Sequence, residues 1–190
     1  FSSAITGSAF ARGTTFLKNY LGKEIFCKEV NILDDPLIKQ GMGSQCFDSE
    51  GVKNQKISLV KNGKFNELIL DTYYSKILKT KTNGRSGGTT NLYIENGKND
   101  LKKVIRDQKK AFFVTELMGR AGDITNGNYS VGASGIMIDN GELAYAVNEV
   151  TIASNLLDMF KNILPLNDLQ FKTSTNSPSL LVKSMTVAGK

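Results

Sequence analysis

Between Val114 and Ile163 the sequence places a strand, a glycine-dense loop, a hairpin and an apolar-faced helix within fifty residues. Residues 111–117 crowd aromatic and β-branched side chains and read as a buried strand. Asn140-Gly141 separates the β-rich runs 135–138 and 143–147. That residue pair accepts the positive φ of a two-residue type I′ turn, so a hairpin is predicted. Asn62-Gly63 repeats the signal between residues 57–60 and 65–70. Ile152, Leu156, Met159, Phe160 and Ile163 share one helical face, and Pro165 follows, which predicts a helix over 152–163.

The remaining signals are shorter. A strand is predicted over 91–94, a helix over 100–109, a short helix over 72–78 and a last strand over 180–187. A helix over 14–20 would end at Gly22, a C-terminal cap. Strands joined by hairpins, with a few helices between, define an α+β fold with mainly antiparallel sheet. At 190 residues the chain has the size of one domain, 1–190. It lacks an initiator methionine and is expected to be a segment of a longer protein. Hydrophobic residues at 40% and charged residues at 22% describe a soluble globular protein. No apolar run reaches the ~20 residues that span a bilayer, and no secretory signal is evident, so no membrane partner is expected.

A net charge of +6 raises the question of nucleic acid. Lys53, Lys56, Lys61, Lys64, Lys76, Lys79 and Lys81 are dispersed among acids, and this argues against such a partner. The denser group, Lys102, Lys103, Arg106, Lys109 and Lys110, shares a predicted helix with Leu101, Val104 and Ile105, the ordinary arrangement of a surface helix. Two cysteines, Cys27 and Cys46, do not form a disulfide framework. A reduced, cytoplasmic setting is expected.

The chain contains no histidine. This excludes a Ser-His-Asp triad, a Cys-His pair and an HExxH zinc helix. The loop Gly84-Arg85-Ser86-Gly87-Gly88 lacks the P-loop pattern and reads as mobile. Residues 127–135 alternate small side chains with Tyr129 and Val131, which lets another backbone lie close. That backbone is either an extended peptide added as a strand or another element packed over a bent strand. Asp34 and Asp35 before Pro36 read as a turn. Glu116 falls in the apolar strand, where a charge needs a partner or a function. Glu149 stands between hairpin and helix, placed to favour the helix start.

Landmarks in order along the chain carry a family resemblance. They include Leu21-Gly22-Lys23-Glu24, Phe47-Asp48-Ser49-Glu50-Gly51, Val114-Thr115-Glu116-Leu117-Met118-Gly119, Gly127-Asn128-Tyr129-Ser130, Glu149-Val150-Thr151-Ile152-Ala153 and Ser184-Met185-Thr186-Val187-Ala188-Gly189. Together they resemble the C-terminal domain of the TldD/PmbA metalloprotease family, and specifically its TldE/PmbA-type subunit. The resemblance implies a heteromer that cleaves or matures unfolded peptides, and an older label for the family is modulator of DNA gyrase. It implies zinc in a TldD-like, metal-bearing partner, held by a His-Glu-x-x-x-His helix and a later cysteine. Related subunits could also form homo-oligomers.

This chain departs from the metal-bearing type at both places. Phe1 to Ala9 contains no histidine or glutamate, and no cysteine occurs between Pro165 and Ser177. No catalytic residue, cofactor or metal ligand is therefore expected in it. Val131 stands where the family usually has arginine, Ala146 where it has proline and Ser154 where it has glycine. The resemblance nominates Glu116, Gly127, Tyr129, Ser130, Gly132, Ala133, Gly135, Glu149 and Asn155 as residues of a peptide-binding cleft. The alternative is a peptide-binding or regulatory module with no part in cleavage.

Overall fold

The computed structural model describes residues 1–119 and 122–189. It begins with a 3-10 turn, Ser2–Ile5, and helix α1, Gly7–Arg12. The Thr6 side chain accepts from Ala9 N at the start of α1, and Gly13 ends it at φ 68°. The predicted helix over 14–20 is absent. Those residues form turns, with Lys18 N donating to Thr15 O and Tyr20 N to Leu17 O. Gly22 N, offered above as a helix cap, donates instead to Phe65 O at 2.7 Å.

Strands β1 (Ile32–Asp34), β2 (Ile57–Lys61) and β3 (Lys64–Phe65) follow, then helix α2 (Thr72–Ile77) and strand β4 (Leu92–Ile94). Helix α3 (Leu101–Arg106) leads into β5 (Lys110–Met118), β6 (Asn128–Asp139) and β7 (Glu142–Asn155). The chain continues with α4 (Leu156–Lys161), β8 (Ile163–Pro165), β9 (Thr175–Asn176), β10 (Leu180–Val182) and β11 (Thr186–Ala188). Both Asn-Gly turns are as predicted: Asn62 and Gly63 have φ 49° and 77°, and Asn140 and Gly141 have 48° and 84°.

Three sheets result, with strand orders β3-β2-β1-β4-β9, β10-β8 and β11-β7-β6-β5. Every pairing between named strands is antiparallel except β4 with β9. The α+β fold with mainly antiparallel sheet is therefore the one expected. Two further elements differ. Residues 152–155 belong to β7, where Ile152 pairs with Val131 and Val187, so the helix starts only after Asn155. The last strand is broken in two at Ser184, which has φ 61°, and its halves join different sheets.

The main core gathers Ile5, Leu17, Ile25, Leu59, Val60 and Phe65 around an aromatic cluster. Phe26 stacks on Phe160 at 4.3 Å, and Phe1 meets Phe26, Phe65 and Phe160 edge-on. A smaller core, Val131, Ala133, Val150 and Ile152, lies on one face of the four-stranded sheet. No helix among the described residues is long and apolar enough to cross a membrane.

A buried ion pair locks the first sheet to the glycine-rich loop. Asp34 and Arg85 are both fully buried, and Arg85 Nε donates to Asp34 Oδ2. Thr90 N and Thr90 Oγ1 donate to the same carboxylate at 2.8 and 3.0 Å. The other guanidinium nitrogens donate to the carbonyls of Asn83, Gly84 and Gln55. The loop read as mobile is thus pinned by its arginine, and Asp34 anchors a strand rather than starting a turn.

Candidate functional site: the bent four-stranded sheet

Strand β6 is central in its sheet, and both neighbours bulge at the same level. On one side Val114 faces Gly135 while Glu116 faces Ser134, so β5 carries one extra residue. On the other side Val147 faces Gly135 while Val150 faces Ala133, so β7 carries one extra residue opposite Ser134. Bulges bend a strand and increase its twist, and paired bulges flanking one residue bend the whole sheet there. Glu149 lies in the bulge at φ 57°. A left-handed conformation costs a non-glycine residue about 1–2 kcal/mol, which the surrounding ladder sustains.

Gly135 is required at the bend. A Cβ there would stand 2.1 Å from Phe113 O, a clash between backbones that no rotamer relieves. Gly135→Ala is accordingly expected to cost about 1–3 kcal/mol by overpacking and to speed hydrogen exchange of the β5 amides. Unchanged melting and unchanged β5 protection would show that the strands accommodate the methyl.

The nominated residues fall into two groups. Glu116, Gly132, Ala133, Gly135 and Glu149 gather at the bend, with Glu116 and Glu149 on strands flanking Ser134. Gly127, Tyr129, Ser130 and Asn155 gather at the open end of the hairpin, where Ser130 and Asn128 stand roughly 13 and 20 Å from Ser134 along β6 at ~3.3 Å per residue. There Tyr129 pairs with Ser154 and Asn128 with Asn155. Burial pushes the Tyr129 phenol above its usual range. The Asn155 side chain accepts from Leu157 N at 3.0 Å and caps α4, and Leu156 N donates to Gly127 O at 2.7 Å. Gly127 and Asn155 thus join strand to helix.

Two expectations change here. Strand β5 is half-buried in its first part and exposed from Thr115 onward, so Glu116 meets solvent and needs no buried partner. Along Gly132 to Asp139 strand β6 is hydrogen-bonded on both sides, which closes it to an added peptide strand. The backbone that its small residues admit is the chain's own β5. Among the described residues β5 forms one edge of this sheet, while β11 covers the outer side of β7 only from Thr151 to Ala153.

Among the described residues no three His, Cys, Asp or Glu side chains gather, whereas catalytic zinc takes three protein ligands. The Cys27 thiol donates to Ile163 O at 2.6 Å, and its pKa is raised by burial first and by neighbouring Glu29 second. Asp34, the most enclosed carboxylate, is engaged by Arg85 and Thr90. The Arg85–Asp34 pair was not foreseen from sequence. Its only local signal is an arginine among glycines.

This architecture defines an α+β domain organised around a bent antiparallel sheet. Residues 1–189 match the PmbA/TldA metallopeptidase C-terminal domain, and the chain belongs to that family. It is 37% identical over 191 residues to a metalloprotease PmbA homolog of Buchnera aphidicola subsp. Baizongia pistaciae, covering 100% of this chain and 43% of that protein. The likeness to a metalloprotease TldD homolog of Buchnera aphidicola subsp. Acyrthosiphon pisum is lower, 26% over 175 residues, covering 86% of this chain and 36% of that one. Among solved structures, a Bacteroides thetaiotaomicron protein described as a candidate modulator of DNA gyrase superposes with a TM-score of 0.92 at 27% identity. It is matched over 100% of this chain and 43% of its own. TldE from Thermococcus kodakarensis superposes at 0.88 with 26% identity, over 100% of this chain and 46% of that one. The chain therefore spans less than half the length of the relatives it matches.

Proposed function

We propose that this chain is the C-terminal domain of a TldE/PmbA-type subunit in a heteromeric metalloprotease that cleaves unfolded peptides. In this reading the subunit shapes the complex and holds peptide, while a TldD-like partner carries the zinc. One observation carries the proposal. The chain has a helical start where the family's metal helix is expected, and residues 1–12 bear no histidine, glutamate or cysteine. The higher identity to the relative named PmbA than to the one named TldD agrees with this. The open edge of β5 supplies main-chain donors and acceptors that pair with an extended peptide irrespective of its side chains. That mode suits substrates recognised for being unfolded.

Purified alone, the full-length protein should leave an unstructured peptide intact. Mixed with its TldD-like counterpart it should support cleavage that a zinc chelator abolishes. Hydrolysis by this subunit alone would refute the assignment. The description of a close structural relative as a candidate modulator of DNA gyrase favours a second reading, a regulatory module without a part in cleavage. Cleavage by the partner that is indifferent to this subunit would select it.

A further inference from the structure

Helix α3 turns Leu101, Val104 and Ile105 inward, yet none of its residues is buried. They border a cleft of about 810 Å³ that also runs past β5, β6, α4 and the segment from β10 to β11. This volume lies within the roughly 300–1,000 Å³ typical of ligand pockets, and the cleft is open to solvent. Met137, Met159 and Met185 line it, three of the five methionines in the chain. Methionine is flexible and polarisable, and surfaces rich in it repack around apolar segments of different shape.

The lining of the cleft is positive, although Asp139 faces Lys110 across the β5–β6 ladder. Lys110 and Lys183 line it and no carboxylate does. Neither lysine has a carboxylate partner within 4.0 Å among the described residues. Lys102, Lys103 and Arg106 extend the positive field along the exposed side of α3. Each exposed charge contributes little affinity alone, but together they set which charges are accepted beside the apolar floor.

We infer that this cleft docks an apolar segment of a peptide flanked by carboxylates. The inference rests on the proposed function and narrows its substrate class. It places peptide selection on the metal-free subunit, in a cleft that runs along β5 from Lys110 to Leu117. The main-chain edge would tolerate any sequence, whereas the cleft favours apolar segments with acidic flanks.

The test measures binding without proteolysis. The full-length protein is titrated into a fluorescein-labelled unstructured peptide with an apolar centre and glutamates at both ends, and into the same peptide with lysines there. The glutamate peptide should bind about tenfold more tightly at low salt. The double variant Lys110→Glu/Lys183→Glu, whose sites are exposed, should reverse that order. Met185→Asp should weaken both peptides, with circular dichroism and melting confirming that each variant folds.

Equal affinity for the two peptides, or affinity unaffected by the variants, overturns the inference. So does a change in sedimentation with peptide affinity unchanged, which would make the cleft a contact between copies. Binding of dodecanoate with neither peptide retained would make it a site for small amphiphiles and would equally overturn it. Intact peptide binding with no cleavage in the mixed complex would sink the proposed function and leave the docking site standing.

Discussion

Arg85→Ala is expected to destabilise the domain by about 3–5 kcal/mol, the cost of leaving a buried charge unpaired. Asp34 has no access to water, and its carboxylate would keep only the two donors of Thr90. The variant would also orphan the carbonyls of Asn83, Gly84 and Gln55, each of which now accepts from the guanidinium. Adding Asp34→Asn should recover part of the loss, because the amide oxygen can still accept from Thr90 while the unpaired charge is gone. Urea unfolding of the single and double variants provides the comparison. A double variant no more stable than Arg85→Ala would show that the charge is not the source of the cost.

That pair also marks where reading the sequence ends. Asp34 and Arg85 are 51 positions apart, and nothing local in either segment points to the other. The Asn-Gly hairpins were legible because the residues that accept positive φ also fix the turn. The helix predicted over 152–163 is present but begins only at Leu156, because Ile152 shares its helical spacing by coincidence. Val150, Thr151 and Ile152 are as well suited to a strand, and their pairing with β6 and β11 decides the matter. At the candidate site the small residues of β6 did announce a close backbone. Composition could not tell whether that backbone was a guest or β5, since the answer depends on a register set across the sheet. The methionine-lined cleft was illegible for a related reason: its walls come from segments spread between Leu101 and Val187.

Phe160→Ala tests how the bent sheet is held to the rest of the domain. Phe160 lies on α4, directly after β7, and its ring stacks on Phe26 while meeting Phe1 edge-on and lying tilted against Phe16. Its carbonyl accepts from Cys27 N, so both ring and backbone tie α4 to the main core. Truncating a buried phenylalanine costs about 3–5 kcal/mol through lost transfer energy and the cavity left behind. Part of that cost is the ring geometry, roughly 0.5–1.5 kcal/mol for each favourable aromatic pair that is lost. The effect should place Phe160→Ala among the most destabilising single changes in the chain, alongside Arg85→Ala. Phe160→Leu, which keeps most of the volume but none of the stacking, should cost distinctly less. Because α4 is the element through which β7 enters the main core, the loss should also appear as faster hydrogen exchange in β6 and β7, far from the ring itself. A loss below about 1 kcal/mol on denaturant unfolding, with exchange in those strands unchanged, would mean that the sheet is held by its own small core and not by the aromatic cluster.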